Sequence, residues 1–311
     1  MDIRTLAALA ITLVFWASAF AGIRAGLEAY SPGHLALLRF LVASIVLAAY
    51  ALATRMRLPD RRDLPAIALA GFLGIAVYHT ALNYGELTVT AGSAALLLAS
   101  APMFTALLAT ITLRERVSTR GWAGLMLSFA GVALIALGEG NTFDLDLGAL
   151  LVLAAALSTA FYNVVQKPYL AKYSALEFTT YAIWSGTLFT LVFTPGLVEQ
   201  VRQAPLAPTL SVVYLGVFPA ALAYTTWTYV VSRMPVSRAV SGLYLSPALA
   251  IFIAWVWLGE IPTLLSLVGG GVALAGVILV GTQRPAARSD AGDYSARSLT
   301  HTIAPPSSGI E

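Results

Sequence analysis

Pairs of polar or aromatic side chains four residues apart lie inside several long apolar segments of the chain. His79 and Asn83 form one such pair, and Trp16 and Phe20 form another. Side chains at this spacing share one face of a helix, and polar groups in an apolar helix are costly unless they face a partner or a cavity. These faces offer hydrogen bonds and aromatic rings, which predicts a binding site for a small solute.

Two prolines extend this candidate site. Proline inside a helix removes a backbone hydrogen bond and clashes with the carbonyl four residues back, so Pro102 and Pro247 release the carbonyls of Leu98 and Leu243. A helix break at membrane depth points to a cavity, although plain kinks that shape packing are an alternative. The remaining candidates share an interior position in an apolar segment, and they are Tyr78, Thr159, Tyr162, Asn163, Tyr224, Trp227, Thr228 and Tyr244.

His79 and Arg39 are ionisable residues inside apolar segments, where such residues are rare. His79 lies about 20 Å into its segment at about 1.5 Å per residue, and three roles stay open: a substrate hydrogen bond, a proton-coupling group, or a neutral side chain bonded to a neighbouring helix. For Arg39 we expect a structural role, paired with a carbonyl or carboxylate. It lies one to two turns inside the outer boundary, where long basic side chains extend to the surface.

The charges that are missing restrict the substrate. No Asp or Glu lies in the middle of an apolar segment, which disfavours an antiporter of cationic drugs, and no cluster of Lys or Arg lies there to hold a phosphate. The chain has no cysteine, so thiolate metal sites and thiol nucleophiles are excluded. We therefore expect a small neutral or zwitterionic substrate and neither a metal nor a cofactor.

The composition explains how these residues come to lie in apolar segments. Of the 311 residues 59% are hydrophobic and 11% are charged, against about 45–50% and about 25% in soluble domains. So few charges cannot cover a water-facing surface, and the lipid bilayer becomes the expected surrounding. The pI of 9.2 is explained by basic loops that orient a membrane protein, so no nucleic-acid partner is predicted.

Ten apolar stretches with at most one charged residue are each about 20 residues long, enough to cross about 30 Å of hydrocarbon. They predict an all-α polytopic membrane protein with ten transmembrane helices. The stretches are residues 5–23, 35–54, 66–85, 90–113, 121–138, 147–166, 176–195, 208–231, 236–258 and 264–283.

The basic residues predict the orientation. With the N-terminus in the cytoplasm, the inner loops hold 15 Lys and Arg residues and the outer loops hold 2, Arg24 and Arg202. This asymmetry predicts that both termini are cytoplasmic. A cleaved signal peptide in place of the first span would leave nine spans and separate the termini. The tail, residues 284–311, is rich in Ser, Ala, Pro and Arg, and is predicted to be a disordered cytoplasmic segment.

The two halves of the chain repeat each other at an offset of 145 residues. Tyr84 aligns with Tyr229, Pro102 with Pro247 and Glu115 with Glu260, and Gly74 matches Pro219 as a second bend point. We expect Glu115 and Glu260 to be helix-end anchors, and a gating role is the less favoured alternative. Five spans per repeat force the second copy into the membrane in the opposite orientation. We therefore predict two inverted five-helix repeats, residues 1–141 and 142–283, with the substrate site between them.

Short motifs in both halves resemble a known family. They are Phe15-Trp16-Ala17-Ser18-Ala19-Phe20, Ser31-Pro32, Leu38-Arg39-Phe40, Ala81-Leu82-Asn83-Tyr84, Leu113-Arg114-Glu115-Arg116 and Leu258-Gly259-Glu260. In this order they resemble ten-helix EamA-type transporters of the drug/metabolite transporter (DMT) superfamily, over about residues 5–283. The resemblance implies export of small metabolites across a bacterial inner membrane, with YddG-like amino-acid exporters as the nearest type.

Export by alternating access through a central cavity is therefore the leading hypothesis, with hydrophobic or aromatic amino acids as substrates. Export of other metabolites or drugs is the alternative. A passive channel or an intramembrane enzyme is disfavoured, since His79 is the one candidate base inside a span and no acid lies beside it. The expected partners are the small-molecule substrate and the bilayer. A monomer is compatible with the sequence, which leaves oligomeric state, direction and coupling ion open.

Overall fold

The computed structural model describes residues 2–112, 119–139, 146–233 and 243–281, and all of their regular structure is helical. The α-helices are α1 Ile3–Leu27, α2 Pro32–Thr54, α3 Leu64–Gly71, α4 Tyr78–Gly85, α5 Ala91–Leu98, α6 Ala101–Thr112, α7 Thr119–Glu139, α8 Leu147–Gln166, α9 Ala175–Thr190, α10 Leu197–Gln203, α11 Leu206–Val217, α12 Ala223–Arg233, α13 Ser246–Leu258 and α14 Leu264–Gly281. The loop with Glu115 and the predicted cytoplasmic tail lie outside the described residues.

Several helices are long and apolar enough to cross a membrane. Within the described residues there are five: Ile3–Leu27, Pro32–Thr54, Arg61–Gly85, Leu147–Ala171 and Leu206–Trp227. A sixth candidate, Leu176–Phe193, bends by 86° into Leu197–Gln203, and four shorter apolar helices of 10–17 residues accompany them. The predicted class, an all-α multi-pass membrane protein, is confirmed, whereas the count of ten spans and the inversion of the repeats stay predictions.

Local sequence signals set where the helices begin. The Oγ of Ser31 accepts a hydrogen bond of 3.3 Å from the His34 backbone N–H, and Pro32 occupies the first turn of α2. At the start of α9, Ser174 and Glu177 form a reciprocal capping box. Both arrangements satisfy backbone N–H groups that a helix start leaves unpaired. These two caps are 143 residues apart, close to the 145-residue offset between the two halves.

Irregular turns interrupt the spans where the sequence places glycine and proline. Phe72–Val77, which contains Gly74, and Phe218–Leu222, which contains Pro219, are π-helical. Pro102 and Pro247 each occupy the second position of a helix, in α6 and α13, after a break in the α-helical path. A proline in the first turn loses no intrahelical bond. Each helix break therefore lies just before its proline, and neither proline lies in the middle of a continuous helix.

Helices α7 and α14 form the most extensive helix pair of the described residues. A methyl group on Gly131 would lie 2.3 Å from the Ala273 backbone nitrogen, and one on Gly276 would lie 2.6 Å from the Gly124 carbonyl oxygen. The two backbones are therefore in direct contact, as small residues allow in membranes. The Oγ of Ser128 adds a 3.1 Å hydrogen bond to the Ala273 carbonyl.

Candidate functional site

Trp16 connects α1 to the π-helical turn that precedes α12. Its indole N–H donates a 3.2 Å hydrogen bond to the Pro219 carbonyl. Its ring centroid lies 5.4 Å from that of Tyr224, edge-on, and 5.5 Å from that of Trp227. Trp16, Tyr224 and Trp227 therefore form one aromatic wall.

Arg39 lies on α2 within the protein, with 4% of the residue exposed. Its Nη1 is 3.4 Å from the Nδ1 of His79, at the long limit of a hydrogen bond, and its guanidinium lies 5.4 Å from the Phe40 ring centroid. A guanidinium has no acceptor atom. The Nδ1 of His79 must therefore accept, which gives a neutral imidazole with its proton on Nε2.

Two tyrosines, Tyr78 and Tyr224, lie near this arginine, and a third, Tyr162, lies near Tyr224. Tyr78 packs edge-on against His79 with ring centroids 4.3 Å apart. The Arg39 charge acts on both Tyr78 and Tyr224, and Tyr162 interacts electrostatically with Tyr224. A methyl group on Gly74 would lie 2.4 Å from the Tyr162 ring, so the glycine makes room for this side chain. We call the set Trp16, Arg39, Tyr78, His79, Tyr162, Tyr224 and Trp227 the central cluster.

The central cluster contains six of the predicted site residues, and other candidates lie elsewhere. Asn83 is buried, but its Nδ2 donates a 3.0 Å hydrogen bond to the Pro32 carbonyl at the start of α2. Phe20 lies in the hydrophobic core. Asn163 is exposed, and its Oδ1 accepts a 3.0 Å bond from Gln166. In this structure Asn83 and Phe20 therefore take part in helix packing, and Asn163 belongs to the surface.

The last candidates are the four residues at the helix breaks and three polar side chains. Leu98, Thr159 and Leu243 are half-buried, and Pro247 is buried. The side chains of Pro102, Thr228 and Tyr244 lie outside the described part of the chain. Their contribution to a site stays a prediction.

Arg39 is the member of the central cluster that sequence reasoning placed wrongly. We expected it to extend to the outer boundary and to pair with a carbonyl or carboxylate. Instead it is buried beside His79, and no carboxylate lies within 4 Å of it among the described residues. The missed signal was its position: Arg39 is the fifth residue of a predicted span, whereas Glu177 and Arg238 lie within the first three residues of theirs. Ionised residues inside a span mark functional sites by default.

A charged cluster joins the helix ends on the side that is predicted to face outward. The Arg24 Nε lies 2.8 Å from the Glu260 Oε1, and the Ala91 backbone N–H donates a 3.1 Å bond to the Glu260 Oε2. The Arg24 Nη1 also donates to the Glu86 carbonyl, at 2.5 Å. These contacts join the end of α1, the loop after α4, the start of α5 and the end of α13.

At the opposite end, which is predicted to be cytoplasmic, an open cleft lies between α2 and α9. Its volume is about 440 Å³. Arg57 and Glu177 form an ion pair beside it, with Nε and Oε1 3.2 Å apart. The cleft is lined by Tyr50, Thr54, Arg55, Met56, Arg57, Ser174, Leu176 and Glu177. An ion pair thus links several helix ends on one side, and the other side carries an open cleft.

The Glu86 side chain is fully buried beside the Arg24–Glu260 pair, and neither of its carboxyl oxygens has a hydrogen-bond partner. Burial raises the pKa of this carboxyl well above its ordinary value. The charges of Arg24 and Arg39 oppose this shift and that of Glu260 adds to it. The folded protein therefore holds a proton here that the unfolded chain releases, so this group's contribution to stability falls as the pH rises above about 4.3 towards the raised pKa.

Replacing this carboxyl by the neutral amide in Glu86→Gln is expected to raise the unfolding temperature at pH 8. A relief of about 1 kcal/mol corresponds to about 2–4 °C. The stability of the variant should also depend less on pH between pH 5 and pH 8. Thermal unfolding of the purified protein in detergent at both pH values measures the effect.

Glu28→Gln is the matched control, because Glu28 is exposed at the end of α1. It should follow the pH dependence of the unsubstituted protein. If Glu86→Gln does so as well, Glu86 is ionised in the folded protein and the expectation is wrong.

Comparison with known proteins places the chain in a transporter family. The model of the EamA-like transporter family matches residues 4–137 and again residues 146–282. A solved crystal structure that is 18% identical, and that covers 90% of this chain and 96% of its own, superposes with a TM-score of 0.59. At this identity the superposition shows a shared fold.

Several curated relatives are named as transporters. The "Uncharacterized transporter YdfC" of Bacillus subtilis is 51% identical over 84% of this chain and 86% of its own. The "Probable terminal-alkyne amino-acid exporter" of Streptantibioticus cattleyicolor is 44% identical over 91% and 95% of the two chains. The "Uncharacterized inner membrane transporter YedA" of Escherichia coli is 27% identical over 86% and 87%.

Proposed function

The chain belongs to the EamA-like transporter family of the DMT superfamily, and on this premise we propose that it exports small neutral or zwitterionic metabolites from the cytoplasm across the inner membrane. Amino acids with aromatic or aliphatic side chains are the proposed substrates. The observation that carries this proposal is the central cluster, in which aromatic rings, tyrosine hydroxyls and one guanidinium meet at depth. The name of the relative that is a probable amino-acid exporter supports the same class.

The central cluster has the chemistry that such substrates need. Aromatic walls bind apolar side chains by burial, and hydroxyl groups give a few directed hydrogen bonds. Its members come from α1, α2 and α4 in the first predicted repeat and from α8 and α12 in the second. A substrate bound there touches both predicted repeats, so relative movement of the repeats would open the site to one side at a time.

In the proposed cycle the substrate enters from the cytoplasm while the Arg24–Glu260 pair keeps the outer end closed. Export then requires this pair to separate, so that the central cluster opens outward. The backbone contact between α7 and α14 holds these two helices as one unit during the movement. The protein's own contribution is to bind, orient and release the solute, and no covalent chemistry is required of any side chain.

The proposal is tested by flux in proteoliposomes. Purified protein should move labelled leucine or phenylalanine down a gradient, above the level of empty liposomes. Trp16→Ala should lower this flux about tenfold or more, since it removes a wall of the site and the hydrogen bond to the Pro219 carbonyl, and large aromatic anchors dominate binding sites.

Val14→Ala is the matched control on the same helix, because Val14 is 46% exposed and should leave flux unchanged. Absence of flux for every aromatic and aliphatic amino acid would contradict the proposal. Equal losses in Trp16→Ala and Val14→Ala would mean that the substrate does not contact this face of α1.

A further inference from the structure

We propose that the Arg39 guanidinium binds the carboxylate of the transported substrate. This inference rests on the proposed function and makes it specific, because it requires an anionic group on every good substrate. The Arg39 guanidinium has few contacts: the Nδ1 of His79 lies 3.4 Å away, the Phe40 ring centroid lies 5.4 Å away, and the arginine Nε has no hydrogen-bond partner.

A buried cation needs a counter-charge. Arg39 is 4% exposed, and the free-energy cost of removing a cation from water is met only by a paired anion with good hydrogen bonds. Within the described residues no carboxylate lies within 4 Å of the guanidinium. Glu86 is the carboxyl group that acts on Arg39 electrostatically, and both of its oxygens are without hydrogen bonds. Among the described residues, therefore, no carboxylate forms a direct ion pair with Arg39.

The geometry of the free donors fits a carboxylate. A guanidinium presents a planar fork of N–H groups that matches two carboxylate oxygens, and such paired bonds are among the strongest polar contacts in proteins. The contact with His79 uses Nη1 and leaves Nε free for an incoming oxygen. The Tyr78 hydroxyl, on which the Arg39 charge acts, is a nearby group that can donate a further bond to the same anion.

The other end of a zwitterion also has a place in the central cluster. An ammonium group is attracted to the faces of aromatic rings, most strongly to those of tryptophan. Trp16, Tyr224 and Trp227 form such a wall, with ring centroids 5.4 and 5.5 Å apart. An amino acid would therefore bind with its carboxylate on Arg39 and its ammonium towards this wall, whereas an amine without a carboxylate would meet an unneutralised cation.

The first test uses the unsubstituted protein and two analogues of leucine. Leucinamide replaces the carboxylate by a neutral amide, and 3-methylbutylamine lacks it altogether. Leucine should compete with labelled leucine uptake into proteoliposomes at least about tenfold better than either analogue, since a lost charged hydrogen bond weakens binding by about tenfold to a hundredfold. Leucine should likewise raise the unfolding temperature of the purified protein more than either analogue.

The second test replaces the arginine. Arg39→Gln should raise the KM for leucine about tenfold or more and abolish the preference for leucine over leucinamide, whereas Arg39→Lys should keep part of that preference. If Arg39 served only to join α2 to α4 through His79, its replacement would reduce the binding of leucine and leucinamide equally. Ile45→Ala is the matched control on α2, since Ile45 is 69% exposed and should change neither value.

The outcomes separate this inference from the proposed function. If leucine and leucinamide compete equally well in the unsubstituted protein, the role of Arg39 is overturned while amino-acid transport stands. If Arg39→Gln lowers transport of both compounds without loss of preference, the carboxylate contact is also overturned. If no amino acid is transported at all, the proposed function fails, and this inference fails with it.

Discussion

Gly276→Ala is expected to lower the unfolding temperature of the protein by several degrees. The new methyl group would lie 2.4 Å from the Ser128 Oγ, 2.5 Å from the Ser128 nitrogen and 2.6 Å from the Gly124 carbonyl oxygen. Two of these atoms are backbone and cannot rotate away, so α7 and α14 must separate. Overpacking of this kind costs about 1–3 kcal/mol, and thermal unfolding in detergent, followed by tryptophan fluorescence, measures the loss.

Gly271→Ala is the control on the same helix, because no atom lies within 4 Å of a methyl group built there. It should leave the unfolding temperature unchanged or raise it slightly, since alanine has the higher helix propensity. Similar unfolding temperatures for the two variants would show that α7 and α14 are not in backbone contact. Gly131→Ala, which places its methyl group 2.3 Å from the Ala273 nitrogen, should behave like Gly276→Ala.

Helix positions and small-residue contacts were readable from the sequence because both depend on local composition. The uncharged runs locate helices such as α1 and α8, and Ser31 and Ser174 mark helix starts through their own side chains. The glycines at 124, 131, 269 and 276 repeat at helical spacing in both halves, and small residues are what membrane helices need at their interfaces. The proline positions likewise indicated where the spans are interrupted.

The direction in which each polar side chain faces was less readable, because it depends on the rotation of a helix about its own axis. Asn83 lies one turn from His79 on the same helical face, yet it donates to the Pro32 carbonyl. Asn163 follows Tyr162 directly and is exposed, while Tyr162 occupies the space beside Gly74. Hydropathy does not distinguish a polar group that satisfies a backbone carbonyl from one that faces a solute.

Arg39 shows the same limit for charge. A basic residue near a span end can extend to the surface or turn inward, and its sequence distance from the boundary favoured the surface. In the structure His79 and Phe40 occupy positions that hold the guanidinium inside. The contact with His79 joins α2 to α4, and no pattern within either helix encodes it.

Breaking the Arg24–Glu260 ion pair is expected to open the central cluster to the side that is predicted to face outward. The chain has no cysteine, so Tyr224→Cys introduces a single reporter in the central cluster for a membrane-impermeant maleimide added outside. With Arg24 intact, labelling should be slow. Adding Arg24→Glu, which places a second negative charge against Glu260, should increase the labelling rate about tenfold or more and reduce net export.

The charge reversal Arg24→Glu with Glu260→Arg separates a pairing effect from a folding defect. It restores opposite charges at the same positions, so slow labelling should return in part, although the bonds of Glu260 to the Ala91 nitrogen and of Arg24 to the Glu86 carbonyl are lost. Arg202→Gln is the control, since Arg202 is exposed in α10 on the same predicted side and should not change labelling.

The expected size of this effect follows from where the pair lies. An exposed ion pair contributes about 0–1 kcal/mol, which shifts an open–closed equilibrium less than tenfold. The Arg24 and Glu260 side chains are 29% and 19% exposed, and each is also bonded to backbone from another helix, so separating them leaves several polar groups unsatisfied at once. Unchanged labelling in Arg24→Glu would show that other contacts keep the outer end closed.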